Sequence, residues 1–508
     1  MKKFKLCFIL VLTLVLAFVF VGCTSSDENY DATFATAQEL IELAKSNTKS
    51  SSSSVDPSQK GTPNFTVPAG GYDGSKVEIT FYHTMGSNLS DVLNLYIEDF
   101  NKLYPNITIK SEQVGGYDDV RNQISTELMG GYTDANIAYC YPDHVALYNL
   151  AKAVAHLDNL INSTESDGNG GQLGLTAEQK ADFIEGYYNE GMQFGDGLMY
   201  TMPFSKSTEV LYYNKTFFAE HNIPVPDHWF STDENDTTSM EAVCKKIKEI
   251  EPTCIPLGYD SEANWFITMC EQIGSDYTSA GDNHYLFNNK NNKGFVSIFR
   301  DWYQKGYLTT QTLYGAYTSG LFVNRDPEKA NSYMSIGSSA GATHQRPSKE
   351  DGAYPFEVGI ASIPQMNPEN PKVISQGPSV CIFNKANPQE VIASWIFVKF
   401  LTTSIDFQAE FSQASGYVPV LKSVASDPEY AKFLAKADGY EYIAALSAKV
   451  CLEQERAYYT SPAFNGSSKA RDQVGTLIAK ALAGDDGGDV IKFINKAFAD
   501  ALYECKYN

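Results

Sequence analysis

The chain has 508 residues, 43% of them hydrophobic and 20% charged, enough apolar material for two cored lobes and too much for a disordered or fibrous protein. Its 61 acids against 39 bases leave a net charge of −22, a surface that repels polyphosphates, so nucleic acid is not expected among its partners. Nine cysteines form no CxxC pair, which speaks against a zinc ribbon or a dense disulfide framework.

Lys2, Lys3 and Lys5 precede an apolar run from Leu6 to Val21 that ends at Gly22 and Cys23, the layout of a signal peptide over residues 1–22. The run falls short of the ~20 apolar residues that span a bilayer. Its Phe-Val-Gly-Cys end resembles a bacterial lipobox, which implies that Cys23 is lipidated and holds the protein on the extracytoplasmic face of the cell membrane. Residues 23–75 are expected to be an anchored segment and flexible linker. Asp31 to Lys49 fits one short helix with Leu40, Ile41 and Ala44 on a face; Ser50 to Ser54 and a run of prolines and glycines follow, too little apolar area to fold alone. The folded body is expected to begin near Lys76.

Val77, Ile79 and Phe81 alternate as in a strand. Leu93, Tyr96, Ile97 and Phe100 then form a helical stripe, with Ser90 or Asp91 as its cap, and Pro105 stops it before Ile107 and Ile109 alternate again. Strand, helix and strand in so short a span predict a right-handed βαβ unit and a parallel sheet. Val210 to Tyr213 reads as a strand; Asp260 to Ile273, Asn292 to Tyr303 and Pro388 to Leu401 read as helices. No 20- to 50-residue period recurs, so the class is α/β rather than a repeat architecture.

Catalytic signatures are sparse. No P-loop, HExxH or GxGxxG after a strand occurs, and the seven histidines lack metal-ligand spacing; no catalytic residue, metal or cofactor is expected. Gly337 to Gly341 fits GxSxG, yet the only histidine after Ser339 is His344, too close to serve as a triad base. A glycosidase pair among the 61 acids is not singled out by anything local.

Aromatic residues make up 13% of the chain, and several sit beside Gly, Ser or Pro: Tyr117 in Gly-Gly-Tyr-Asp-Asp, Trp265 in Ala-Asn-Trp-Phe, Tyr417 in Ser-Gly-Tyr-Val-Pro. Flat rings with polar tips suit the apolar faces of sugars. With Pro203 to Thr208 followed by Val210 to Lys215, Phe81 to Met85, Tyr141 to His144, Met334 to Gly341, Gly377 to Ser379 and Gly416 to Val420, the chain resembles the family 1 extracellular solute-binding proteins. These are the sugar-type receptors of bacterial ABC importers, and the nearest subgroup is the glycerol-3-phosphate-binding-protein-like receptors.

The resemblance implies a two-lobed periplasmic-binding-protein-like α/β fold with a three-crossing hinge and an interlobe ligand cleft. Lobe one would be 76–208 plus 379–414 and lobe two 209–378 plus 415–508, with crossings near Glu209, Gly377 and Gly416. It implies a monomer that captures a carbohydrate, an oligosaccharide or related polyol, and delivers it to the membrane subunits of a permease and their ATPase. Carried over residue by residue, the ligand-binding set is Tyr117, Asp143, Ser207, Trp265, Ser339, Gly377 and Tyr417. Asn465 stands where phosphate-binding relatives carry an arginine, with Lys469 and Arg471 close by, which tilts the expectation toward a neutral saccharide. The alternatives are a lipid-anchored glycoside hydrolase and a glycerol-3-phosphate or phosphodiester binder of the same family.

Overall fold

The computed structural model describes residues 30–48, 60–326, 329–438 and 442–507; the expected signal peptide and Cys23 lie outside the described residues. The described chain opens with α1 (Ala37–Ser46). Lobe one starts with β1 (Val77–His83), α2 (Ser87–Leu103), β2 (Ile107–Gln113), α3 (Tyr117–Met129), β3 (Ile137–Cys140) and α4 (Pro142–Tyr148), then runs through α5 (Glu185–Glu190) to β4 (Met202–Pro203). Lobe two holds β5 (Glu209–Asn214), β6 (Leu257–Tyr259), α6 (Glu262–Ile273), α7 (Lys290–Gln304), β7 (Leu308–Thr310), β8 (Met334–Ser338) and β9 (Val358–Ser362). After β10 (Val373–Ile374) the chain returns to lobe one as β11 (Ser379–Ile382), α8 (Pro388–Thr402) and α9 (Ile405–Ser415). It ends in α10 (Ile443–Glu453), β12 (Tyr458–Tyr459), α11 (Ser467–Ala483) and α12 (Val490–Tyr507).

Each lobe is built on a five-stranded sheet, β2-β1-β3-β11-β4 in one and β7-β6-β8-β5-β9 in the other, with β10 and β12 paired between them. The expected βαβ unit is present, β1 and β2 running parallel in register from Val77–Ile107 to His83–Gln113. Leu93, Ile97 and Phe100 bury the apolar stripe of α2, whose first residue lies ahead of the expected cap: Gly86 occupies the N-cap. The sheets are mixed rather than purely parallel. β11 runs antiparallel to β3 and β4, and β5 antiparallel to β8 and β9, because each enters its sheet from the other lobe instead of through a crossover helix.

The crossing segments lie side by side. Ser207 pairs with Gln376 and Lys206 with Val418 through isolated antiparallel bridges. Gly377 holds φ at +84°, and a Cβ there would meet the Ser205 carbonyl oxygen at 2.6 Å, so only glycine fits this contact. Gly416 ends α9 as a left-handed C-cap, the local role that competes with a hinge function.

The expectation that the body begins near Lys76 is corrected. Thr36 caps α1 in a reciprocal box with Glu39, and Leu40 and Ala44 are fully buried against α6 and α7 of lobe two. Asp31 pairs with the buried Lys293 ammonium at 2.6 Å, and Gly294 of α7 lets the Ala35 carbonyl approach within the space a Cβ would fill. Residues 60–75 lie on lobe one instead: Gly61 donates to the Asp196 carbonyl, Asn64 bonds His156 and Val154, and Phe65 and Tyr72 are buried. A Gly/Pro-rich segment with few apolar residues cannot form its own core, but it needs none when the body supplies one.

Candidate functional site

Between the lobes lies a cavity of about 270 Å³. Its lobe-one wall comes from the C-terminal edge of the parallel strands, where open α/β sheets place ligands. Gly115 and Gly116 turn the chain out of β2 so that Tyr117 starts α3, and Pro142 starts α4 directly after β3. Tyr117, Arg121, Tyr141, Asp143 and His144 therefore face the cavity together, with Glu190 from the end of α5. The opposite wall is Tyr277 and Thr278, Gln376 of the second crossing, and Ser467, Ser468, Arg471 and Asp472 at the start of α11. Arg121 Nη1 donates to Ser468 Oγ at 2.9 Å and so joins the two walls.

The cavity is aromatic and polar at once. The Tyr117 and Tyr141 rings lie 4.8 Å apart at 55°, and His144 stands edge-on to Tyr141. Burial holds the Tyr117 and Tyr141 hydroxyls protonated far above neutral pH and depresses the His144 imidazole, which stays neutral. Burial also raises the Asp472 carboxyl. Three buried polar atoms around the cavity, His144 Nδ1 on the lobe-one wall and Thr278 Oγ1 and Gln376 Oε1 on the opposite one, have no hydrogen-bond partner among the described residues. Each such group costs about 1–3 kcal/mol unless something entering the cavity completes it. A second depression of about 690 Å³, between α5 and the end of α10 and β12, shares Thr460 with the first.

The residues singled out from the sequence separate into three groups. Tyr117 and Asp143 line the cavity. Tyr417 adjoins it, its hydroxyl 3.4 Å from that of Tyr117. Ser207 and Gly377 lie in the buried crossing segments, Ser339 is buried beside them in the turn that follows β8, and none is on the cavity wall; Ser339 Oγ accepts from Thr208 N at 3.2 Å, a structural bond to the first crossing. Trp265 is corrected. It is fully buried in lobe two, stacked on Tyr259 at 5.0 Å and 16° and packed against Phe299 at 4.3 Å, because α6 is buried along nearly its whole length. All four tryptophans of the chain are core residues. Asn465 is exposed and off the wall, whereas Arg471 reaches the cavity and contacts Asn264. Sequence reasoning passed over Glu190, Tyr277 and Gln376; for Tyr141 and His144 the signal was the start of a helix directly after a parallel strand.

Among the described residues no group of His, Cys, Asp and Glu side chains clusters to hold a metal ion, and no helix is long and apolar enough to cross a membrane. The seven described cysteines are buried, and no disulfide joins any two of them.

The profile of the bacterial extracellular solute-binding protein family matches residues 96–437. The maltotriose-binding protein of Pyrococcus abyssi is 22% identical over 357 residues, covering 69% of this chain and 68% of that protein. Among solved structures, the cyclic α-maltosyl-1,6-maltose binding protein of Arthrobacter globiformis superimposes with a TM-score of 0.61 at 19% identity, over 84% of this chain and 99% of that one. UgpB of Mycobacterium tuberculosis, in complex with glycerophosphocholine, gives 0.60 at 18% identity over 84% and 98%. These similarities show the two-lobed fold.

Proposed function

The chain belongs to the bacterial extracellular solute-binding proteins, and from that premise we propose that it is the substrate-binding lipoprotein of an ABC importer, taking up an oligosaccharide or related polyol outside the cell. The observation that carries the reading is the interlobe cavity, where tyrosine rings and unpartnered polar atoms from both lobes converge. Rings stack on sugar faces while His144, Thr278 and Gln376 exchange hydrogen bonds with hydroxyls. Because both walls touch the ligand, binding favours the closed arrangement of the lobes. The neighbouring depression across Thr460 gives room for further sugar units. Delivery to a permease and its ATPase, a monomeric state and lipidation at Cys23 belong to the same reading; palmitate labelling of wild type and Cys23→Ala tests the last.

Calorimetric titration of the folded chain with maltotriose and a panel of neutral oligosaccharides tests the ligand class. Stoichiometric heat without turnover is expected, with stabilisation of about 2.7 kcal/mol at a hundredfold excess over the dissociation constant; release of shorter sugars would favour a hydrolase. Arg471 on the wall, with Arg121 opposite, favours a second reading, a polyol carrying a phosphodiester. Binding of glycerophosphocholine with no response to neutral sugars would select it.

A further inference from the structure

One lysine, through its side chain and its main chain together, touches all three crossing segments. Lys206 is fully buried, and its Nζ donates to Glu190 Oε1 at 2.6 Å, to the Gly377 carbonyl at 3.2 Å and to Ser379 Oγ at 3.0 Å. A lysine has three donors, and all are used. The backbone of the same residue exchanges hydrogen bonds with Val418, 3.1 Å one way and 2.6 Å the other. Lys206 thus sits on the first crossing, grips the second with its side chain and the third with its main chain. Glu190 continues the network: Oε1 also accepts from Ser379 Oγ at 3.0 Å, Oε2 faces Ser375 Oγ at 3.4 Å, and both Glu190 and Ser375 line the cavity.

We propose that Lys206 is a positioning residue that keeps the three crossing segments in register and, through Glu190, fixes the cavity wall they adjoin. Its place gives the buried ion pair a role beyond stability. A buried pair that served stability alone would be replaceable by apolar side chains of similar volume. One that ties two segments distant in sequence is not, since no apolar side chain bonds the Gly377 carbonyl and the Ser379 hydroxyl. The proposal deepens the binding reading by giving Glu190 a fixed orientation at the ligand, yet its test needs no ligand.

Hydrogen exchange read by mass spectrometry on the ligand-free full chain decides the matter, comparing wild type, Lys206→Met and Lys206→Met with Glu190→Leu. The single variant leaves Glu190 buried without its partner and is expected to lose stability on either view. The double variant removes that charge and is expected to recover the thermal midpoint while peptides covering 203–209, 374–379 and 416–420 still exchange about tenfold faster than wild type. Wild-type protection in all three peptides, or faster exchange confined to 203–209, overturns the proposal. If the double variant does not accumulate, Lys206→Gln with Glu190→Gln, an uncharged pair, is held to the same two outcomes. Failure of every oligosaccharide to bind would remove the carbohydrate reading and leave the exchange result standing.

Discussion

Replacing Glu209 with glutamine isolates a single buried acid at the start of the first crossing into lobe two. The carboxyl is 1% exposed and accepts from the Tyr259 hydroxyl at 2.7 Å. Burial raises its pKa from 4.5 to about 7, opposed by its hydrogen bonds with Tyr259 and Asn264 and by the nearby Arg471 charge. Below pH 4.5 the group is protonated folded and unfolded alike and contributes nothing. Between 4.5 and about 7 the unfolded chain ionises while the folded one keeps its proton, so stability falls as pH rises through this window; above it the cost is constant. At roughly 1.4 kcal/mol per tenfold change in acidity, the interval amounts to about 3 kcal/mol. Glu209→Gln keeps an acceptor for Tyr259 and carries no titration. Urea unfolding of both proteins, followed by circular dichroism from about pH 4 to pH 8, should show the variant gaining on the wild type by about 3 kcal/mol across the range. Contributions from other groups cancel in that difference. A stability difference independent of pH would refute the reasoning.

Trp265→Ala should cost about 3–5 kcal/mol in urea unfolding, as expected for a core aromatic; a loss of ligand affinity with unchanged stability would restore it as a stacking platform. Gly377→Ala should lower stability by about 1–3 kcal/mol, since the residue needs positive φ and its Cβ meets the Ser205 carbonyl; an unchanged melting curve would contradict the contact. Leu40→Ala should cost about 2–5 kcal/mol if α1 is part of lobe two, whereas a free linker would show no change.

Where burial follows a local period, the sequence was informative: the alternation of Val77, Ile79 and Phe81 and the stripe Leu93, Ile97 and Phe100 each announce one buried face. The amphipathic face of α1 announced only that it needed a partner, and the partner, α6 and α7, lies more than two hundred residues away. Trp265, beside Glu262 and Asn264, has the same local surroundings whether its ring faces a ligand or a core; the packing of Tyr259 and Phe299 decides. Of the site, Tyr117 and Asp143 were accessible only through the family resemblance, and the structure places both in the first turns of helices α3 and α4, which follow parallel strands. Glu190 and Lys206 were not, since their partners Ser375, Gly377 and Ser379 arrive from a distant segment and no spacing in the chain records the meeting.

The N-terminal segment has a consequence for how the chain can be divided. Residues 30–48 are fastened to lobe two and residues 60–75 to lobe one, so each half takes part of its packing from residues far upstream of its own sheet. Neither half is complete in a fragment that begins at β1: lobe two would lose the cover of α1 over α6 and α7, and lobe one the partners of His156 and Asn159.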